Sequence, residues 1–228
     1  MTTAPRPIVF DVNETLSDMM PMRERFVDVG AQAHLGEIWF SSLLRDGFAL
    51  AAAGDRESFG VIGADLLARM FRSKSLTRNV DDAVGHIMLG LTELNLHPDV
   101  ADGVRALTGA GHRLITLSNG SAQLAEGLLE RSGLTSHFEA LLSVEDAALW
   151  KPARPAYEYA GQARGLEPQE MLLVAVHPWD IHGAAAAGLR TAWLNRDGEA
   201  YPSYFTAPEL IIGSVSELEA ALDAPLRA

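Results

Sequence analysis

An aspartate, an asparagine and a threonine stand at alternate positions in Ile8-Val9-Phe10-Asp11-Val12-Asn13-Glu14-Thr15-Leu16, directly behind a short apolar run. A strand that empties into an aspartate presents the carboxylate at the carboxyl edge of an open α/β sheet, where such sheets hold their ligands. A carboxylate placed there can attack carbon or phosphorus. Phosphoryl transfer of this type also needs a second carboxylic acid two residues on to give and take a proton, and Asn13 occupies that position. An amide cannot do so, which turns the reading toward an electrophile whose leaving group needs no proton.

Three further segments carry polar residues out of apolar ones. Leu117-Ser118-Asn119-Gly120-Ser121 closes a strand and opens a helix, which offers backbone N–H groups, a hydroxyl and an amide at the same edge as Asp11. Anion binding is one reading of these residues, and helix capping by Ser118, Asn119 or Ser121 is the other. Trp150-Lys151-Pro152 fixes a lysine in a loop before a helix that Pro155 starts. A cation beside Asp11 would hold it ionised, since such a neighbour lowers a carboxylate pKa by roughly 1 to 3 units; the alternative is a solvated loop lysine. In Val174-Ala175-Val176-His177-Pro178-Trp179-Asp180, Asp180 reads either as an N-cap or as a partner of Lys151 or of a hydrolytic water. His177 reads as a pocket-lining residue, and histidines 34, 86, 97, 112, 137 and 182 show no metal-ligand spacing.

These residues need a sheet to hold them in register. Arg6 to Asp11 reads as a buried strand, and from about Pro21 to Leu96 the pattern is helical, with Phe40, Leu44 and Phe48 at four-residue spacing and Phe59, Ile62, Leu66 and Met70 in a similar stripe. From His97 onward helices and strands alternate. Helices span Asp99 to Ala110 and Ser121 to Ser132, and strands span Arg113 to Leu117, Ala140 to Ser143, Met171 to Val176, Thr191 to Leu194 and Leu210 to Ile212. Alternation calls for an α/β fold, a parallel sheet covered on both faces, with a helical lobe inserted after its first strand.

Composition bounds the rest. The chain has 228 residues, 48% hydrophobic and 21% charged, enough for one sizeable core or a core with a smaller lobe. It has no cysteine, which excludes disulfides, thiolate catalysis and cysteine-held metals. A formal charge of −12 argues against nucleic acid and leaves any anionic substrate dependent on a locally positive pocket. No apolar run is long enough for a membrane span, and Met1 to Arg6 lacks the apolar stretch of a signal peptide, so the cytoplasm is the expected location.

Phe-Asp-x-x-x-Thr-Leu at 10–16, Leu-Ser-Asn-Gly-Ser at 117–121, Lys-Pro at 151–152, Trp-Asp at 179–180 and Trp-Leu-Asn-Arg at 193–196 occur in an order that resembles the haloacid dehalogenase superfamily, and within it the L-2-haloacid dehalogenase-like (type II) branch. The resemblance implies a Rossmann-like core over residues 1–16 and 97–228, and a helical-bundle cap over 17–96. It also implies hydrolysis of small 2-haloalkanoic acids in two steps. Asp11 would displace halide to form an aspartyl ester, and water would cleave the ester to a 2-hydroxy acid. Thr15 would hold the nucleophile, Lys151 would keep it charged, and Asp180 would orient Lys151 and assist ester hydrolysis. Ser118 and the backbone around Asn119 would bind the substrate carboxylate, Asn13 would stand beside the substrate, and Phe40, Phe59 and Trp179 would wall the pocket. No cofactor is implied. A homodimer is a further family expectation.

The chain departs from the family pattern in two places. Family members carry an arginine beside a tryptophan on the cap that gathers the departing halide; Phe40 follows Trp39 here, and Arg45, more than a helical turn on, is the arginine at hand. Ala175 and His177 stand where the family typically has serine and asparagine. His177 could donate to the halide or position water. The alternatives are a hydrolase of another electrophile, a catalytically silent binding protein, and a small-molecule phosphatase that would bind magnesium through Asp11, the Asn13 carbonyl and Asp180.

Overall fold

The computed structural model describes residues 5–223. Six strands, β1 (Pro7–Phe10), β2 (Arg113–Ser118), β3 (Phe138–Ser143), β4 (Leu172–Ala175), β5 (Arg190–Leu194) and β6 (Leu210–Ile212), form one sheet in the order β3-β2-β1-β4-β5-β6. Every pairing is parallel, with Val9 opposite Ile115 on one side and Leu173 on the other. Successive strand residues alternate between faces. Val9, Ile115, Leu117, Leu173, Ala175 and Trp193 join one core, while Ile8, Phe10, Leu114, Leu172, Val174 and Ala192 join the other. A parallel sheet buried on both faces needs such near-continuous apolar runs.

The chain leaves β1 and, before it returns as β2, forms α1 (Met22–Asp28), α2 (Leu35–Ala52), α3 (Phe59–Phe71), α4 (Val80–Thr92) and α5 (Val100–Gly109). Ser58 and Asn79 cap α3 and α4 by accepting from Val61 N and Asp82 N. Phe26, Trp39, Leu43, Phe59, Leu67, Phe71 and Ile87 from α1 to α4 merge with the first core. The stripe of α2 differs from the one read in the sequence: Gly36, Trp39, Phe40, Leu43 and Gly47 are buried, and Leu44 and Phe48 lie at its edge. Gly47 explains the shift. A Cβ there would stand 2.4 Å from the Trp150 ring, so the helix approaches the core through a position without a side chain.

The remaining helices, α6 (Ala122–Arg131), α7 (Arg154–Arg164), α8 (Pro178–Ala187) and α9 (Leu218–Asp223), pack on the sheet, and α8 carries the alanine run. Strand bounds follow the sequence reading closely, although β3 starts earlier, at Phe138, and β4 is shorter. Residues 1–4 and 224–228, the outer ends of the expected core segments, lie outside the described residues. Among the described residues no helix is long and apolar enough to cross a membrane.

Candidate active site

Strand order reverses at β1, so β2 and β4 leave it on opposite sides and the crevice beyond their carboxyl ends is open to side chains from all three. Asp11 follows β1 there and is 3% exposed. Its Oδ1 accepts from Lys151 Nζ at 2.8 Å and its Oδ2 from Thr15 Oγ1 at 2.7 Å. Thr15 Oγ1 in turn accepts from Val176 N at 3.1 Å, tying the loop after Asp11 to the end of β4. The Lys151 ammonium also donates to Asp180 Oδ2 at 2.7 Å. Asp180 is 0% exposed, and Tyr157 donates to its Oδ1 at 2.6 Å.

Burial works against the Asp11 carboxylate, yet the Lys151 ammonium, aided by His177 and the Thr15 hydroxyl, holds its pKa below the ordinary value. Burial and the nearby Asp11 charge push Asp180 up against the pull of Lys151. Lys151 is raised, because two carboxylates outweigh the desolvation that would lower it. Burial and Asp180 push Tyr157 well above its ordinary value, so it remains a proton donor. One buried cation thus serves two carboxylates, Asp11 and Asp180, and lies in hydrogen-bond contact with both.

The β2 end builds a tight turn. Gly120 N donates to Ser118 Oγ at 2.9 Å, and Ser143 Oγ donates to the Gly120 carbonyl at 2.8 Å. The Asn119 amide donates to the Lys151 carbonyl at 3.1 Å and accepts from Lys151 N at 3.0 Å. Its side chain thus fixes the Lys151 backbone through one donated and one accepted bond. The Asn13 amide lies beside this turn, 3.3 Å from where a Gly120 Cβ would stand.

Aromatic side chains enclose the site. Phe40 tilts against Phe59 with ring centres 6.5 Å apart, and Phe59 stacks on Trp150 at 6.2 Å. Trp179 stacks on His177 at 4.9 Å and meets Phe48 edge-on at 4.8 Å. His177 Nε2 stands 3.6 Å from Asp11 Oδ2 and 3.3 Å from the Asn13 carbonyl oxygen. A cleft of about 670 Å³ opens beside these residues, lined by Glu14, Phe40, Val176 and Pro178 together with α1 residues and the 195–202 loop.

Arg45 needs correction as a pocket residue. Its side chain is 68% exposed and pairs with the adjacent Asp46, because the buried stripe of α2 runs through 36, 39, 40, 43 and 47 and leaves position 45 outward. Tyr157 escaped the sequence reading, since a tyrosine at helical spacing in α7 looks like core. Gly183 was its faint signal: a Cβ there would lie 2.6 Å from the Tyr157 hydroxyl. Arg196 stands in the 193–196 motif without a role in the sequence reading. It donates to the Thr15 carbonyl at 2.9 Å and to both Asp99 oxygens at 3.1 Å.

The groups a magnesium ion would use already have protein partners. Both Asp180 oxygens and both Asp11 oxygens already accept from Lys151, Tyr157 or Thr15, and His177 faces the Asn13 carbonyl. Among the described residues no group of three or more His, Cys, Asp or Glu side chains is placed to hold a metal ion.

A family model for haloacid dehalogenase-like hydrolases matches residues 6–188. The chain is 30% identical over 224 residues to (S)-2-haloacid dehalogenase 4A of Burkholderia cepacia, covering 96% of this chain and 95% of that protein. Haloacetate dehalogenase H-2 of Moraxella sp. (strain B) is 37% identical over 115 residues, a match that spans 50% of this chain and 51% of that protein. A solved L-2-haloacid dehalogenase superposes with a TM-score of 0.89 at 26% identity, over 97% of this chain and 100% of that one. The chain belongs to the haloacid dehalogenase-like hydrolases.

Proposed function

We propose that the protein is a hydrolytic dehalogenase of small 2-haloalkanoic acids that works through an ester on Asp11. The observation that carries this reading is a buried carboxylate held ionised by Lys151 with an amide, Asn13, where a proton donor for the leaving group would stand. Halide leaves as a stable anion and needs no such donor. The names of the relatives, haloacid and haloacetate dehalogenases, support the same substrate class.

In the first step an Asp11 oxygen attacks the halogen-bearing carbon and halide departs. Ester formation removes one negative charge from the Asp11–Lys151–Asp180 triad and leaves Lys151 neutralised by Asp180 alone. The Ser118 hydroxyl and the backbone at 118–120 bind the substrate carboxylate, with Asn13 alongside. Phe40, Phe59 and Trp179 keep bulk water from the reacting carbon, and His177 meets the departing halide. In the second step water attacks the Asp11 carbonyl carbon while Lys151 and Thr15 donate to its oxygens. The proposed division places this core chemistry in residues 1–16 and 97–228, with 17–96 as a cap over it. No cofactor takes part.

The test is halide release from both 2-chloropropanoate enantiomers, bromoacetate and fluoroacetate with magnesium chelated, beside an Asp11→Asn control. Release by the parent alone is the expected result. No release from any of them, or magnesium-dependent phosphate release from an aryl phosphate, sinks the reading.

A further inference from the structure

Glu14 stands out in the nucleophile's loop. It is the one non-glycine residue with positive φ among the described residues, at +61°. Glutamate is seldom left-handed, and such a conformation costs of order 1–3 kcal/mol unless the surroundings impose it. Here they do. The Glu14 carbonyl accepts from His97 Nε2 at 3.0 Å and from Arg196 at 3.4 Å, and Arg196 is itself held by Asp99. The clamp keeps Thr15 beneath Asp11 and sends the Glu14 side chain into the cleft.

His177 joins this carboxylate to the nucleophile. Its Nε2 lies 3.6 Å from Glu14 Oε2 and 3.6 Å from Asp11 Oδ2, and it also faces the Asn13 carbonyl. A ring nitrogen facing three oxygens carries the proton. Stacking on Trp179 fixes the ring.

Ester hydrolysis needs an acceptor for a proton of the attacking water. The sequence assigns help in this step to Asp180, but that carboxylate is 0% exposed and both its oxygens are taken by Lys151 and Tyr157. Glu14 lines the cleft with its side chain 43% exposed to water, and it shares a positioning nitrogen with Asp11.

We propose that Glu14 is the general base of the hydrolytic half-reaction and that His177 is its positioning residue, an inference that rests on the aspartyl-ester reading. Water oxygen bonds to Asp11 Cγ as one of its protons passes to Glu14. The tetrahedral centre collapses, the bond from Cγ to the ester oxygen breaks, and the departing 2-hydroxy acid oxygen takes the proton back from Glu14. The second water proton leaves Asp11 for solvent and restores the carboxylate. Burial raises the Glu14 pKa against the pull of His177, and the charges of Asp11 and Glu37 raise it further. Esterification cancels the Asp11 charge, so the base is more fully ionised when an ester is present to be cleaved.

The experiment is a stopped turnover of Glu14→Gln with the best haloacid, reading halide release and intact-protein mass, with Glu14→Asp and the parent beside it. Glu14→Gln should release close to one equivalent of halide per chain, hold the acyl mass on Asp11, and turn over roughly 10²- to 10⁴-fold more slowly. Glu14→Asp, which suits the left-handed backbone, should restore part of the turnover. Halide release with turnover at the parent rate overturns the assignment of Glu14. Loss of the first halide equivalent also overturns it, since Glu14 would then act in ester formation or structure. No halide from the parent removes the ester itself and overturns both readings.

Discussion

Lys151 is the residue on which the site's charge balance turns. It is 0% exposed between two carboxylates, and a buried ion pair that loses one partner leaves an uncompensated charge worth about 3–5 kcal/mol. Lys151→Met should therefore abolish halide release and destabilise the fold by that order at neutral pH. The pH dependence between pH 7 and 5 should change as well, since the depressed Asp11 of the parent adds no slope there. In the parent the Asp11 pKa is depressed, so its contribution is present above the unfolded value of about 3.9 and is lost as pH falls through the folded value. Without the ammonium, burial raises Asp11 and Asp180, so the folded state binds protons more readily than the unfolded chain and stability should climb as pH drops from 7 toward 5. Denaturant melts of both proteins across that range measure the two slopes; parallel slopes would show that Lys151 does not control the pair. Tyr157→Phe tests the other end. It leaves Asp180 Oδ1 without its side-chain donor, which should cost roughly 1–3 kcal/mol in the same melts. That Asp11, Thr15, Lys151 and Asp180 would meet was legible because three stand just past an apolar strand and Lys151 lies in a short loop beside a proline. Glu14 and Tyr157 were not, since one depends on a backbone angle and the other on which face of a helix meets the sheet.

At the scale of elements, the site depends on how α2 lies against the Trp150-Lys151-Pro152 loop. Gly47 lets the helix touch the Trp150 ring, and Trp150 donates to the Glu57 carbonyl at 3.0 Å, so the loop is gripped before α3 begins. Gly47→Ala places a Cβ 2.4 Å from a ring already stacked on Phe59. Overpacking of that kind costs about 1–3 kcal/mol. Because Lys151 follows the displaced tryptophan, kcat for halide release should fall by more than the melting temperature suggests; a variant with parent kcat would mean that α2 does not set the lysine. The strands and the helical run were readable from apolar periodicity alone. The true stripe of α2 was not, because glycine gives no apolar signal at a position that is nonetheless buried; Arg45, named only to stand in for the cap arginine the resemblance implies, lies on the outward face.

At the scale of the whole molecule, a formal charge of −12 surrounds a site that takes an anion under the proposed function. The cleft repeats this imbalance locally. Glu14, Asp18, Glu37, Asp197 and Glu199 line it, and of its cations Arg23 is paired with Glu37 and Arg196 with Asp99. Under the proposed function the donors at the 118–120 turn hold the substrate carboxylate, and this acidic cleft beside Glu14 and Phe40 is its expected approach. Such a field acts on encounter more than on the bound state, and it is screened as the Debye length shrinks from about 30 Å at 0.01 M salt to about 8 Å at 0.15 M. Raising the concentration of a salt whose anion is neither halide nor carboxylate, such as sodium nitrate, should therefore increase kcat/KM for a haloacid by roughly two- to tenfold over that range, with kcat little changed. An uncharged analogue such as a 2-haloamide should show no such gain. A fall in kcat/KM with salt for the acid would mean that a net positive entrance, not this acidic cleft, admits the substrate.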